Sequence, residues 1–268
     1  MSSPYVHGYA LGELQRLQDQ ASTLIDLLHA DTSYPAGAKV LEVGCGVGAQ
    51  TVTLAARSPN AQFTSIDRST VSLARAQAAV AARGLSNVVF EHADILNLRF
   101  ARQSFDHVFL CFVLEHLARP QDALAALKSI LKRNGTITVI EGDHGSACFH
   151  PDSDFARKAI GCQVILQARA GGDAMIGRRL YPLLGEAGFS SPHVSPRMVY
   201  VDASKPALVD GFIRNTFTAM IEGVRTSAIE AGLLSPGDFD RGIADLYRTA
   251  DANGVFCYTF FKAVAVNQ

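Results

Sequence analysis

Lys39-Val40-Leu41-Glu42-Val43-Gly44-Cys45-Gly46-Val47-Gly48 is the stretch that decides the fold. Val40, Leu41 and Val43, with Glu42 among them, suit a buried strand, and glycines then stand at alternate positions. An apolar, helix-forming run from Thr51 to Arg57 follows directly. A strand, a glycine turn and a helix in this order turn backbone N–H groups and a helix N-terminus toward a ligand. Glycine is needed there because the turn demands unusual dihedrals and any Cβ would keep the ligand away from the backbone. The spacing is G-x-G-x-G with an acidic residue two before the first glycine, not the G-x-G-x-x-G that cradles a dinucleotide pyrophosphate. A glutamate at this point repels a pyrophosphate but suits a ligand carrying an ammonium or sulfonium charge.

Outward from that stretch, strand-like and helix-like segments alternate. Val40–Val43 leads to the Thr51–Arg57 helix, and Phe63–Ile66 to an alanine-rich helix from Thr70 to Arg83, with Gly84 where a C-terminal glycine is expected. Asn87–Glu91 and Asp106–Val113 read as the next strands, then a helix from Pro120 to Lys132, and Asn134-Gly135 turns into the β-branched run Thr136–Glu141. This alternation predicts an α/β, doubly wound parallel sheet with ligands at the carboxyl ends of its strands. Upstream, Leu11 to His29 has helical apolar spacing, broken by the turn residues Asp31 to Gly37. Past Gly142, helices are expected over Phe155–Ala170, Met175–Ala187, Pro206–Ala231 and Pro236–Ala252. Val194–Val201, interrupted by Pro196, reads as an edge strand, and Val255–Val266 as the last strand.

Glu42 to Gly48 resembles motif I of class I S-adenosylmethionine-dependent methyltransferases, and three further segments agree in order and spacing. Phe63-Thr64-Ser65-Ile66-Asp67 resembles their second strand, which ends in an acidic residue that accepts hydrogen bonds from the ribose. Glu91-His92-Ala93-Asp94-Ile95 resembles the segment that contacts adenine. Phe105 to Phe109 and Phe112 to Leu117 resemble strand 4 and its following turn, much as in the ubiquinone/menaquinone-biosynthesis type. The resemblance implies S-adenosylmethionine as cofactor and a seven-stranded, Rossmann-like sheet whose last two strands pair antiparallel at one edge. It implies one methyltransferase domain over residues 1–268. Residues 1–35 would form an N-terminal helical lid and 36–145 the cofactor-binding core. Residues 146–188 and 204–252 would form a helical cap, the latter an insertion before the last strand, with 189–203 and 253–268 as edge strands.

Composition narrows the partners. The chain has 268 residues, 48% of them hydrophobic, enough for a substantial core. A formal net charge of −1, with both signs dispersed, gives no electrostatic footprint for nucleic acid. The adjacent basic pairs Lys132-Arg133 and Arg178-Arg179 are each expected to end or decorate a helix. Cys45, Cys111, Cys148, Cys162 and Cys257 show neither a C-x-x-C pair nor zinc-ligand spacing, so reduced thiols and no metal are expected. The N-terminus has no basic-then-apolar leader, and the longest apolar run, Val108 to Leu114, is too short to cross a bilayer. A cytoplasmic protein is expected; oligomeric state is not legible.

Candidate site residues follow from the resemblance and from the chemistry of each position. Gly44, Cys45, Gly46 and Gly48 would carry the loop. Glu42 would either fix the loop's shape or support the methionine end of the cofactor, and both roles are compatible. Asp67 would accept the ribose hydroxyls, or else cap a helix, with Ser69 or Thr70 competing for that job. Arg68 would lie on the surface or against the adenine edge. Ala93, Asp94 and Ile95 would meet the adenine, an ordinary turn aspartate being the alternative for Asp94. Cys111 and Phe112 would offer a carbonyl to the cofactor ammonium, with core packing as the other reading of their side chains. Tyr5, in Tyr5-Val6-His7-Gly8-Tyr9, would close over the cofactor, against the alternative of an unstructured start. Glu115 and His116 are expected to be structural.

Glu141-Gly142-Asp143-His144-Gly145-Ser146, expected as a polar loop after the fifth strand, holds the catalytic candidates. His144 would be a general base oriented by Glu141 or Asp143; the alternative is a solvated loop histidine beside a capping aspartate. Phe149, Tyr181, Met198, Tyr200, Phe212, Phe217, Met220 and Phe239 favour a fairly hydrophobic small-molecule acceptor. The reading is therefore a small-molecule methyltransferase, with a non-catalytic S-adenosylmethionine-binding subunit or regulator as the alternative. A nicotinamide dehydrogenase is disfavoured by the glycine spacing and Glu42.

Overall fold

In the computed structural model, which describes residues 23–268, seven strands form one sheet. They are β1 (Lys39–Val43), β2 (Gln62–Asp67), β3 (Val88–His92), β4 (Phe105–Cys111), β5 (Leu131–His150), β6 (Ser190–Asp202) and β7 (Val255–Val266). Across the sheet the order is β3-β2-β1-β4-β5-β7-β6. The first five strands run parallel, and β7 lies antiparallel between β5 and β6. The chain leaves β1 toward β2 and β3, then returns to place β4 on the other side of β1. That reversal opens a crevice at the carboxyl ends of β1 and β4, where ligands bind in open α/β sheets.

Helices cover both faces. They are α1 (residues 23–29), α2 (Ala49–Arg57), α3 (Thr70–Ala82), α4 (Pro120–Ile130), α5 (Asp154–Arg169) and α6 (Leu180–Glu186). After β6 come α7 (Pro206–Leu208), a π-helical stretch (Val209–Thr218), α8 (Ala219–Gly223), α9 (Arg225–Glu230) and α10 (Pro236–Arg248). Alternate strand residues point to opposite faces. Val40, Phe63, Phe109 and Ile140 therefore pack with Leu24 and Leu28 of α1 and with α5 and α10. Leu41, Val43, Val108, Leu110 and Val139 pack with α4 and α6 instead. Because both faces are covered, these strands are nearly continuous in apolar residues, which is why the sequence announced them. Serine side chains start three of the helices: Ser69, Ser153 and Ser235 accept from the N–H groups of Ser72, Ala156 and Asp238.

Three stretches differ from expectation. The fifth strand does not end at Glu141 but runs on to His150, pairing with β7 up to Asp143 and again from Cys148, with a bulge between. The expected polar loop is thus a bulge within a strand. The helix expected over Pro206–Ala231 is broken, because residues Val209–Thr218 widen into a π-helix and Val224 separates α8 from α9. Met175–Ala187 likewise splits into a 3-10 turn, Ile176–Arg179, and α6. The edge strand carrying Pro196 is found as expected, since a proline cannot donate to a central ladder.

A buried lysine ties the last strand to the N-terminal side. Lys262 of β7 donates to Asp31 Oδ1 and Thr32 Oγ1, each at 2.6 Å, and Arg197 of β6 also pairs with Asp31. Of the basic pairs in the sequence, Lys132 pairs with Asp106, Arg178 with Asp143 and Arg179 with Asp173. No helix among the described residues is long and apolar enough to cross a membrane.

Gly48 has a φ of 81°, and a Cβ there would lie 2.8 Å from the Ala76 backbone. Gly48→Ala therefore adds left-handed strain to a clash between α2 and α3. A loss of about 2–4 kcal/mol of stability is expected, seen as a lower urea midpoint with an unchanged slope.

Candidate active site

The glycine loop is pinned from the end of β2. Gly44 and Cys45 donate their N–H groups to the Ile66 carbonyl at 2.8 and 3.0 Å. Gly46 donates to Asp67 Oδ2 at 2.8 Å, and Asp67 Oδ1 accepts from Ser69 at 2.8 Å. Ser69, not Asp67, caps α3. Asp67 is thereby left facing the crevice with its carboxylate fixed by two backbone donors. A Cβ on Gly46 would meet nothing within 4 Å, so this glycine keeps an open approach to the loop backbone.

The crevice holds a cavity of about 260 Å³. One end is walled by the glycine loop from Gly44 to Val47, by Asp67 and Arg68, and by Ala93, Asp94 and Ile95. Arg68 is exposed at this rim, and Asp94 turns its own loop by accepting from the Leu96 N–H at 2.9 Å. Cys111 and Phe112 form the floor beside β4, where Phe112 takes a φ of 58° as the chain leaves the strand. Gly48 is not part of the wall; it serves the packing of α2 on α3. Tyr5 lies outside the described residues.

Glu42 is buried behind the loop and is not part of the cavity wall. It accepts from the Ser65 hydroxyl at 2.6 Å. Burial pushes its carboxyl from the usual 4.5 up to about 7, against the opposing effect of the hydroxyl. This contact is thus with the neighbouring strand β2 and not with a donor of the glycine loop.

The other end of the cavity is lined by Glu115, His116, His144 and Gln167, and by a group of aromatic rings. Phe212 and Phe217 come from the π-helical stretch, and Tyr258 and Phe260 from β7. His144 is buried here, not solvated. Its Nδ1 lies 2.9 Å from the Tyr258 hydroxyl. The orientation of His144 by Glu141 or Asp143 is corrected by this contact. Glu141 Oε1 instead accepts from the N–H groups of Val113 and Leu114, at 3.0 and 2.7 Å, shaping the turn after β4. Burial holds its carboxyl well above the usual range, and Glu115 adds to the shift. Asp143 is engaged by Arg178 in a two-pronged pair at 2.7 and 2.8 Å. Tyr258 is pushed well above its ordinary value by burial first, and then by the Glu115 and Asp143 carboxylates.

Of the large apolar residues singled out past Gly142, Phe212, Phe217 and Met220 line the cavity and the others do not. Phe239 is core, Phe149 stacks on Phe256, and Tyr181, Met198 and Tyr200 are exposed. Tyr258, Phe260 and Gln167 were not singled out from the sequence. The alternation Phe256, Tyr258, Phe260 in the last strand was the available signal, because alternate positions share a face.

A family model described as a methyltransferase domain matches residues 35–188. The chain belongs to this family of methyltransferase domains. An uncharacterised 37.1 kDa protein of transposon Tn4556 from Streptomyces fradiae is 33% identical over 205 residues, covering 75% of this chain and 57% of that protein. Demethylmenaquinone methyltransferase of Bacillus cytotoxicus is 31% identical over 106 residues, covering 39% of this chain and 45% of that enzyme. The chain thus spans about half the length of these curated relatives. Among solved structures, a SAM-dependent methyltransferase from Aquifex aeolicus superposes with a TM-score of 0.55 at 15% identity, covering 97% of this chain and 100% of that one. The fold is that of the class I S-adenosylmethionine-dependent methyltransferases, as the four sequence segments implied.

The Glu42 carboxyl makes stability depend on pH. With its folded pKa raised from 4.5 to about 7, the native state binds more protons than the unfolded one between those values. Stability therefore falls as pH rises through that window, and the full cost of the buried charge is present above it. Glu42→Gln keeps an acceptor for Ser65 and removes the charge. The variant is expected to gain on the parent protein by about 2–3 kcal/mol between pH 4.5 and 8, measured by urea unfolding across pH.

Proposed function

We propose that this methyltransferase domain is an enzyme that transfers the methyl group of S-adenosylmethionine to a small, fairly hydrophobic acceptor. The observation that carries the reading is the two-ended cavity. A glycine loop open at Gly46 and a fixed carboxylate at Asp67 form one end, and an aromatic chamber with His144 forms the other. The pinned loop fits an adenosyl group, with Asp67 toward the ribose hydroxyls and Ala93, Asp94 and Ile95 toward the adenine. Cys111 and Phe112 lie where the methionine end would pass. When bound, the cofactor supplies an electrophilic methyl group on a sulfonium.

The protein's own contribution is alignment and dryness. The aromatic chamber excludes water and holds the acceptor against the methyl donor, which is the main requirement of a displacement. His144 serves as proton acceptor for an acceptor group that must lose a proton. That role requires the tautomer in which Nδ1–H donates to the Tyr258 hydroxyl and Nε2 is the basic nitrogen. The Tyr258 hydroxyl, kept neutral by its surroundings, orients the ring in place of the carboxylates expected from the sequence. Residues 1–268 act in this reading as one methyltransferase domain whose helices after β6 close the acceptor side, and nucleic acid is not a partner.

Calorimetry with S-adenosylhomocysteine tests the cofactor end. Binding is expected, and Asp67→Ala should weaken it at least about tenfold by removing both the ribose acceptor and the clamp on Gly46. No heat with either the donor or its demethylated product would overturn the proposal. A separate measurement addresses the acceptor end. Transfer of labelled methyl to a panel of apolar amines, phenols and enols should fall about 10²–10⁴-fold in His144→Ala with cofactor binding unchanged. Binding without any turnover across the panel would instead favour a non-catalytic cofactor-binding subunit.

A further inference from the structure

The acceptor end of the cavity has a chemical bias that apolarity alone does not describe. Phe212, Phe217, Tyr258 and Phe260 form a continuous wall of rings. Centroid separations are 5.5 Å for Phe217 to Tyr258, 4.8 Å for Tyr258 to Phe260 and 6.0 Å for Phe212 to each of Tyr258 and Phe260. Phe112 continues the wall from the β4 side, 5.5 Å from Phe260. Neighbouring rings are tilted or edge-on to one another and not stacked, and all five line the same cavity. Ring faces carry negative potential, and a cation within about 6 Å of such a face is attracted to it.

Charge in the same place has the same sign. Glu115 lines this end, with its Oε1 3.4 Å from His116 Nε2, and it acts together with Asp143 on Tyr258 to disfavour ionisation of the phenol. The nearest cations are already engaged. Arg178 is paired with Asp143, and Lys262, on the same face of β7, is bound to Asp31 and Thr32 and does not line the cavity. Among the described lining residues the one arginine or lysine is Arg68, at the opposite end beside Asp67. A carboxylate or phosphate acceptor would find no arginine or lysine among the described residues at the aromatic end and would meet the Glu115 carboxylate there. A positively charged group would find both attractions at once.

We infer that the acceptor is an apolar amine, methylated at nitrogen, whose cationic form is held by the ring wall of Phe212, Phe217, Tyr258 and Phe260 facing Glu115. This rests on the methyl-transfer reading given above and names its substrate class. An ammonium acceptor first gives one proton to His144. The freed nitrogen lone pair then attacks the methyl carbon, the C–S bond breaks, and the sulfur keeps that electron pair as a neutral thioether. The sulfonium charge passes to nitrogen, so the product is again a cation in the same wall. A tertiary amine gives up its single ammonium proton in the same way and ends as a quaternary ammonium, which has no proton left to lose.

The test compares a cation with its uncharged carbon twin. Benzyltrimethylammonium and neopentylbenzene have the same shape and differ in charge, and phenylacetate supplies an anion. Each is titrated into the full chain saturated with S-adenosylhomocysteine. The cation is expected to bind at least about tenfold more tightly than the neutral twin, and the anion not at all. Phe217→Leu and the isosteric Glu115→Gln should each reduce that ratio at least threefold while leaving S-adenosylhomocysteine affinity unchanged, which also shows that the variants are folded. Equal or weaker binding of the cation, binding of the anion, or no binding of any probe would overturn the amine assignment. Failure of S-adenosylhomocysteine itself to bind would instead strike the methyl-transfer reading, so the two failures are distinguishable.

Discussion

The end of β2 grips the glycine loop. The Ile66 carbonyl takes the N–H groups of Gly44 and Cys45, and the Asp67 carboxylate takes that of Gly46. The loop must adopt left-handed dihedrals at Gly44, Gly46 and Gly48, which no hydrophobic contact could enforce without filling the space a ligand needs. Hydrogen bonds from a neighbouring strand do so from one side only. The order of strands then matters, because β2 must stand beside β1 in parallel register for Val43 to face Ile66. With that pairing in place, the loop, the start of α2 and the crevice beside β4 follow from chain connectivity.

Buried carboxylates shape this end of the sheet. Glu42 is satisfied by Ser65 behind the loop, while Glu141 organises the turn after β4 through the Val113 and Leu114 amides. Asp143 is neutralised by Arg178, which fastens the 3-10 turn before α6 to the bulged strand β5. Each of these groups lies at the carboxyl edge of the sheet, where strand ends leave backbone donors unused. Each costs solvation; Glu42 ties β1 to β2, Glu141 holds the turn after β4, and Asp143 anchors the 3-10 turn.

The parallel half of the sheet was legible because its strands are buried on both faces and bounded by turn residues. Val255–Val266 was legible to its ends because apolar residues persist between Gly254 and Asn267. The glycine loop and Asp67 could be placed because their chemistry is local, contained in one strand–turn–helix and the strand beside it. The partners of His144 could not. Glu141 and Asp143 are its neighbours in sequence, but along a strand adjacent side chains point to opposite faces, and the bulge re-aims them again. Tyr258 is 114 positions away and meets His144 only because β7 inserts antiparallel against β5. The widening of residues 209–218 was equally hidden, since a π-helix and an α-helix share nearly the same apolar spacing over so short a span.

That widened helix has a consequence for how such a pocket is retuned. A π-helical segment accommodates one residue more per turn than its flanks, and such segments recur at functional positions. Phe212, Thr216 and Phe217 reach the chamber from this segment, with the Thr216 hydroxyl bonded back to the Gly211 carbonyl, five residues earlier. Loss of a single codon here would let the helix tighten to ordinary winding and swing every later side chain by about a quarter-turn around its axis. The enclosure would then present a different set of surfaces while the wall beside the glycine loop stayed untouched, so one end of the cavity can be reshaped without disturbing the other.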